Sequence, residues 1–356
     1  PLFLRGVKLR KKVISIILLI LILINFTACG GKELIRYESE FLMLFDTATR
    51  IVGFAKNKEK FTQYSQIIYD NLKEYHQLYD IYNDYEGINN IKTINDNAGI
   101  KPVKVDKRII DLLKFSKDLY DKTNGQTNIA FGAVLKIWHE YRTEGIEDPD
   151  NAALPSEEEL RKAFEHTNIE DVVIDEEMST VFLKDPLMSL DVGAIAKGYA
   201  TEQVSKTVRD SGMTSGLLSV GGNIRAINKN ITTKEPWNVG IQNPESSTGQ
   251  SVMEVVKLDD KSLVTSGDYE RYYIVDGEKY NHIIDPDTLY PSKYFTSVSI
   301  ICKDSGVADA LSTAIFSMPF EEGLELINSM PETEAMWIYS DKTIKYSDNF
   351  KSFIKN

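Results

Sequence analysis

The stretch Ser189-Leu190-Asp191-Val192-Gly193-Ala194-Ile195-Ala196-Lys197-Gly198-Tyr199-Ala200 places a carboxylate, a glycine turn and a lysine close together at the start of a helical pattern. Glycine lets backbone amides approach a ligand, and a helix N-terminus carries a partial positive charge that suits phosphate. Asp191 and Lys197 would border such an anion site; an ordinary strand-to-helix connection with Asp191 as N-cap explains the same string. Asp309 and Thr313 stand one helical turn apart in Ala308-Asp309-Ala310-Leu311-Ser312-Thr313-Ala314 and share a face. A carboxylate and a hydroxyl there, with a carbonyl from elsewhere, are oxygen ligands of the kind Mg²⁺ prefers. With 2 cysteines and 4 histidines, the chain is too poor in both for a Cys-rich zinc site.

Three more segments set polar groups among strand ends. Gly221-Gly222 follows the apolar Leu217-Leu218 and precedes Asn223, a pattern for close backbone approach or for a bulge. Thr265-Ser266-Gly267-Asp268-Tyr269-Glu270-Arg271 offers small hydroxyls and an arginine placed to pair with a carboxylate, or else a turn with surface charges. His282 lies on an apolar strand entering the turn Asp285-Pro286-Asp287-Thr288, where a histidine is either a satisfied core residue or a proton carrier.

These groups need a scaffold. Apolar spacing of three and four predicts helices over 60–82 and 106–123, a capping-box start at Ser156, a helix from Ala194 to about Asp210, and one carrying Ala308 to Phe316. Strands are predicted over 41–55, in a hairpin of 172–174 with 181–183, along Leu187 to Leu190 into Asp191, and in Gly/Asn-punctuated segments from Gly216 to Ile301. Residues 131–138 read as a short apolar segment and 144–156 as an acidic connection. No Pro/Ser-rich linker divides the chain, so the expectation is α+β, with mixed strands and helices in one compact two-lobed body.

The N-terminus differs from the rest. Arg5, Lys8, Arg10, Lys11 and Lys12 precede an apolar run from Val13 to Ile24, then Phe26-Thr27-Ala28-Cys29. This is the layout of a bacterial lipoprotein signal over 1–28, with Cys29 as lipid carrier and 29–40 as a tether; a plain secretory signal or a short membrane anchor ranks below it, since a cysteine stands where the small residues end. The expectation is an extracytoplasmic body of residues 41–356, held at the cell membrane by lipid on Cys29. Net charge is −12, and the basic leader leaves the remainder more acidic still. Nucleic acid and anionic lipid surfaces are therefore disfavoured as general partners, and an anionic ligand needs a local cationic site.

Taken in order, Leu190 to Ala200, Val220-Gly221-Gly222-Asn223-Ile224, Trp237 to Pro244, Thr265 to Arg271, His282 to Thr288 and Ala308 to Thr313 resemble the successive motifs of the ApbE family of FAD:protein FMN transferases. The resemblance runs from about Phe41 to the C-terminal helices. It implies a T-fold-like α+β body and an exported Mg²⁺-dependent enzyme. Such an enzyme takes FAD as substrate, passes FMN to a Thr or Ser of an exported acceptor protein and releases AMP. By the motif match, Asp309 and Thr313 would hold the metal with their side chains and Ala194 with its carbonyl. Asp191, Lys197, Gly221, Gly222, Thr265, Ser266 and Gly267 would contact the cofactor. Phe45 stands in Phe45-Asp46-Thr47, where the family often has Met-Gly-Thr, and Tyr82 where an aromatic borders the flavin. Asn128 replaces the usual aspartate of its motif and Leu289 a usual glycine. His282, taken as the only histidine inside a cofactor-bordering motif, is expected to accept the acceptor's proton, with Asp309 the second catalytic group.

Overall fold

The structure, a computed structural model, describes residues 34–244 and 251–355. The expected signal, Cys29 and the first residues of the tether lie outside the described residues.

The strands, in chain order, are β1 (Ile35–Leu44), β2 (Thr47–Ala55), β3 (Val103–Lys104), β4 (Val172–Asp175), β5 (Thr180–Leu183), β6 (Gly216–Val220), β7 (Asn223–Ile227) and β8 (Trp237–Gln242). They continue with β9 (Val252–Leu258), β10 (Ser262–Gly267), β11 (Tyr272–Val275), β12 (Glu278–Asn281), β13 (Ser297–Cys302), β14 (Glu334–Ile338) and β15 (Ile344–Tyr346). The described α-helices are α1 (Lys58–Tyr79), α2 (Ile91–Asn95), α3 (Lys107–Lys122), α4 (Gly132–Glu147), α5 (Glu157–Phe164), α6 (Ala196–Asp210), α7 (Ser305–Ala314) and α8 (Phe320–Ser329).

An antiparallel sheet ordered β1-β2-β6-β7-β10-β13-β14-β15 forms the spine, with β3-β5-β4, β8-β9 and β11-β12 as smaller sheets. Helix α1 starts where the Asn57 side chain accepts from the Lys60 amide at 2.9 Å. It buries Ile68, Leu72, Tyr75 and Leu78, its three-and-four stripe, in a core shared with α3, α6 and β2. A second core packs α7 and α8 on β13 and β14, and a third fills the far face of the sheet around Trp237, Val239 and Phe350. A fourth cluster, Phe131, Val134, Trp138 and Tyr273 among it, ties α4 to the β11-β12 hairpin.

Several expected elements differ. The chain pairs as a strand from Ile35, so part of the expected tether is in the sheet. The predicted strand over 41–55 is a hairpin that turns at Phe45 and Asp46, both in the left-handed region (φ 53° each). Residues 131–138 are not an isolated apolar segment: α4 runs on to Glu147 and absorbs the start of the acidic connection. Residues 187–190 lie outside any strand, and α6 begins at Ala196, leaving Ala194 in the preceding turn. That turn stays non-helical because its polar groups are tied sideways, as described next.

Candidate active site

The Asp191 turn is held from both flanks. Asn95, at the end of α2, donates its side-chain amide to the Leu190 carbonyl at 3.0 Å and accepts from the Leu190 amide at 2.7 Å. The Asp191 amide donates to the Ile129 carbonyl at 2.8 Å, and Asp191 Oδ1 accepts from Gly193 at 2.8 Å. The Asp191 carboxylate thus organises its own turn as well as lining a cleft. Burial raises its pKa, opposed by the Gly193 hydrogen bond and by His139, Arg142 and Arg271.

One turn into α6, Gly198 carries the second contact. A Cβ there would overlap the Ser305 carbonyl and Asp309 Cβ, so only glycine lets α6 cross α7 this closely. The crossing delivers Asp309 to the start of α6, where Asp309 Oδ2 accepts from the Gly198 amide at 2.7 Å. Asp309 is 5% exposed. Burial raises its pKa, and Lys197, the Gly198 amide and Asn223 oppose the rise. Asn223 lies beside this carboxylate but outside hydrogen-bonding geometry, so its buried Nδ2 remains an unfilled donor. Thr313 is one turn along α7 from Asp309, and its hydroxyl is 3.5 Å from the Asp309 carbonyl.

These groups converge on one cleft of 750 Å³, within the about 300–1,000 Å³ usual for small-molecule sites. Its wall includes every site residue expected from the sequence except Cys29: Phe45, Tyr82, Asn128, Asp191, Ala194, Lys197, Gly221, Gly222, Thr265, Ser266, Gly267, His282, Asp309 and Thr313. Their local roles differ. Gly221 (φ 54°) passes so close to Thr47 that a Cβ would fall 2.7 Å from its hydroxyl oxygen. The Thr265 and Ser266 hydroxyls bond inward to Ser299 and Ser312, each at 2.8 Å. Asn128 spends both polar ends on the fold, accepting from the Ala130 amide and donating to the Thr167 carbonyl, each at 2.9 Å. The Asp80 carboxylate accepts from the Tyr82 amide at 2.7 Å, and the half-exposed Tyr82 ring lies 5.3 Å from that of His139.

His282 is the histidine that lies inside one of the quoted motifs, and His76 and His139, from outside them, line the same cleft. What distinguishes His282 is its setting. Its Nδ1 is 3.1 Å from the Arg271 carbonyl, which can only accept, so Nδ1 carries the proton and Nε2 is the basic nitrogen. Burial, with Arg271 and Arg142 nearby, lowers its pKa to about 4, and the ring is neutral near pH 7.

Sequence reasoning missed the α4 contribution. Arg142 Nη2 is 2.8 Å from His139 Nδ1, and both residues face the cleft. Lys197, Arg142 and Arg271 make no ion pair among the described residues, an unusual concentration of unpaired cations in so acidic a protein. No cluster of three His, Cys, Asp or Glu exists among the described residues. Asp309, a buried carboxylate that lines the cleft one helical turn from the Thr313 hydroxyl, suits a hard cation completed by ligand oxygens, rather than a closed protein cage.

The model of the ApbE family matches residues 45–337. An FAD:protein FMN transferase of Treponema pallidum is 32% identical over 343 residues, covering 92% of this chain and 92% of that protein. One from Klebsiella pneumoniae is 30% identical, over 75% of this chain and 82% of its own length. Among solved structures, the ApbE protein of Thermotoga maritima superposes with a TM-score of 0.79 at 29% identity, covering 90% of this chain and 100% of that one. With its motifs gathered on one cleft of the matching fold, this chain belongs to the ApbE family.

Proposed function

We propose that this protein is an FAD:protein FMN transferase that depends on Mg²⁺ and acts on an exported acceptor. The observation that carries the reading is the cleft itself: Lys197, Arg142 and Arg271, which make no ion pair among the described residues, line it with the Asp309–Thr313 pair, and the α6–α7 crossing sets Asp309 beside Lys197. Relatives that align along most of this chain bear that activity in their names.

FAD joins FMN to AMP through a pyrophosphate. The acceptor's Thr or Ser oxygen attacks the FMN-side phosphorus and forms a phosphoester. The bond to the bridging oxygen breaks, and the electron pair leaves with AMP. The hydroxyl proton passes to His282 Nε2, whose tautomer is set by the Arg271 carbonyl. Asp309, Thr313 and the Ala194 carbonyl would hold Mg²⁺, which when bound neutralises phosphate charge. Lys197 supplies a fixed positive charge beside Asp309, and Gly221 and Gly222 let the backbone approach the substrate. Phe45 and Tyr82 give the flavin apolar faces to lie against. Lipid attachment at Cys29 would keep the enzyme at the extracytoplasmic face of the membrane, where an exported acceptor is met. Loss of membrane retention in a Cys29→Ala variant tests this.

Incubating the protein with FAD, Mg²⁺ and a Thr-containing acceptor domain, with products read by mass spectrometry, tests the function. An FMN adduct on the acceptor supports transfer. Free FMN with AMP would replace it with FAD pyrophosphatase activity, and intact FAD with flavin carriage.

A further inference from the structure

We propose that Arg142 and Arg271 act as a paired guanidinium clamp on the phosphate of the flavin half of FAD, the phosphate that is transferred. The inference rests on the transferase reading above and assigns two residues to one of its steps.

The two arginines come from different elements, α4 and the turn before β11, and both line the cleft. They share its wall with Asp191, Tyr82 and His282, and the charge of each arginine is felt by all three. Arg142 is anchored on one edge by His139 Nδ1, leaving most of its planar fork available. The carboxylate near both, Asp191, already accepts from Gly193, and burial pushes it toward the neutral form. Two like charges held together without an anion disfavour each other: the positive field of Arg271 helps to lower the Arg142 pKa, after burial. A doubly accepting oxyanion between them removes that repulsion, and guanidinium forks match phosphate geometry.

The position of His282 decides which phosphate. Arg271 accepts through its carbonyl from the His282 amide at 3.0 Å and from Nδ1 at 3.1 Å, so the residue that orients the base is the one from which this guanidinium extends. In an in-line displacement the base stands with the entering hydroxyl, opposite the leaving group. Cations grouped around the base therefore face the oxygens of the phosphorus under attack, and the AMP phosphate departs on the far side. The clamp takes up no proton and breaks no bond; it holds the charge on those oxygens while the acceptor–phosphorus bond forms and the bridging bond breaks.

The test is equilibrium binding of riboflavin, FMN and AMP, each separately, to wild-type protein and to Arg271→Ala, Arg142→Ala and Arg142→Lys. Each charge-assisted contact is typically about 1.5–3 kcal/mol, so either alanine variant should lower the FMN-over-riboflavin affinity ratio by about 10- to 100-fold. Riboflavin and AMP affinities should hold, and Arg142→Lys should restore part of the ratio. Arg271 is exposed on a turn, so its variant remains informative if Arg142→Ala unfolds. An unchanged ratio in Arg271→Ala, or a fall in AMP affinity instead, overturns the clamp while leaving the transferase reading intact. Wild-type protein that transfers no FMN from FAD overturns that reading and the clamp with it.

Discussion

Replacing Gly198 by alanine probes the joint on which the site depends. The added methyl would sit roughly 1 Å inside ordinary contact with the Ser305 carbonyl and Asp309 Cβ, neither of which can swing aside as a flexible side-chain end would. Helices α6 and α7 must separate, at an overpacking cost of about 1–3 kcal/mol. The 2.7 Å bond from the Gly198 amide to Asp309 lengthens or breaks, and bonds to a charged group are typically about 1.5–3 kcal/mol. Partial relaxation should leave a net loss of roughly 2–4 kcal/mol, which urea unfolding with an unchanged slope would measure. A displacement near 1 Å at a reacting centre costs about 10²-fold in rate, so FMN transfer should fall by that order even where the variant is fully folded. A folded variant with wild-type stability and transfer rate would refute the claim that this crossing sets the Asp309 position.

Asp309→Ala should abolish the thermal stabilisation that saturating Mg²⁺ gives wild type, about 2.7 kcal/mol at a hundredfold excess over Kd, as read by calorimetry. For His282, the ring resonances should titrate near the structure-set value of about 4, far below an ordinary imidazole, and His282→Asn should stop transfer while sparing FAD binding. Asp191 has a folded-state pKa raised by burial, so protonation stabilises the apo-protein fully below the unfolded value of about 3.8. That stabilisation is lost as pH rises through the folded pKa. Asp191→Asn keeps the Oδ1 acceptor for Gly193 but should flatten the loss across that window in apo-protein unfolding curves.

The motifs carrying Asp191, Lys197, His282, Asp309 and Thr313 were readable because each joins a special backbone feature to a chemical group in a short string. Their meeting in space was not readable from periodicity. The approach of Asp309 and Thr313 to Lys197 follows from Gly198 against Ser305 and Asp309, more than a hundred positions apart, and entered the sequence reading only through the family resemblance. Helix α4 was obscured because Gly132 and Gly145 bracket it, glycine being a poor helix former. Both are packing requirements: a Cβ on Gly132 would overlap the Ser189 carbonyl, and one on Gly145 the Tyr273 ring. With α4 went Arg142 and His139, which belong to no motif and reach the cleft through tertiary packing alone. A pair of polar residues spaced by three beside Trp138 was the one local sign of them.

The most direct test of the central claim is the ratio of AMP released to FMN bound on the acceptor, measured in one reaction with FAD and Mg²⁺. In-line transfer from one cleft predicts one AMP for each FMN adduct, with both absent in Asp309→Ala. AMP released with free FMN and no adduct, or transfer that survives in Asp309→Ala, would contradict it.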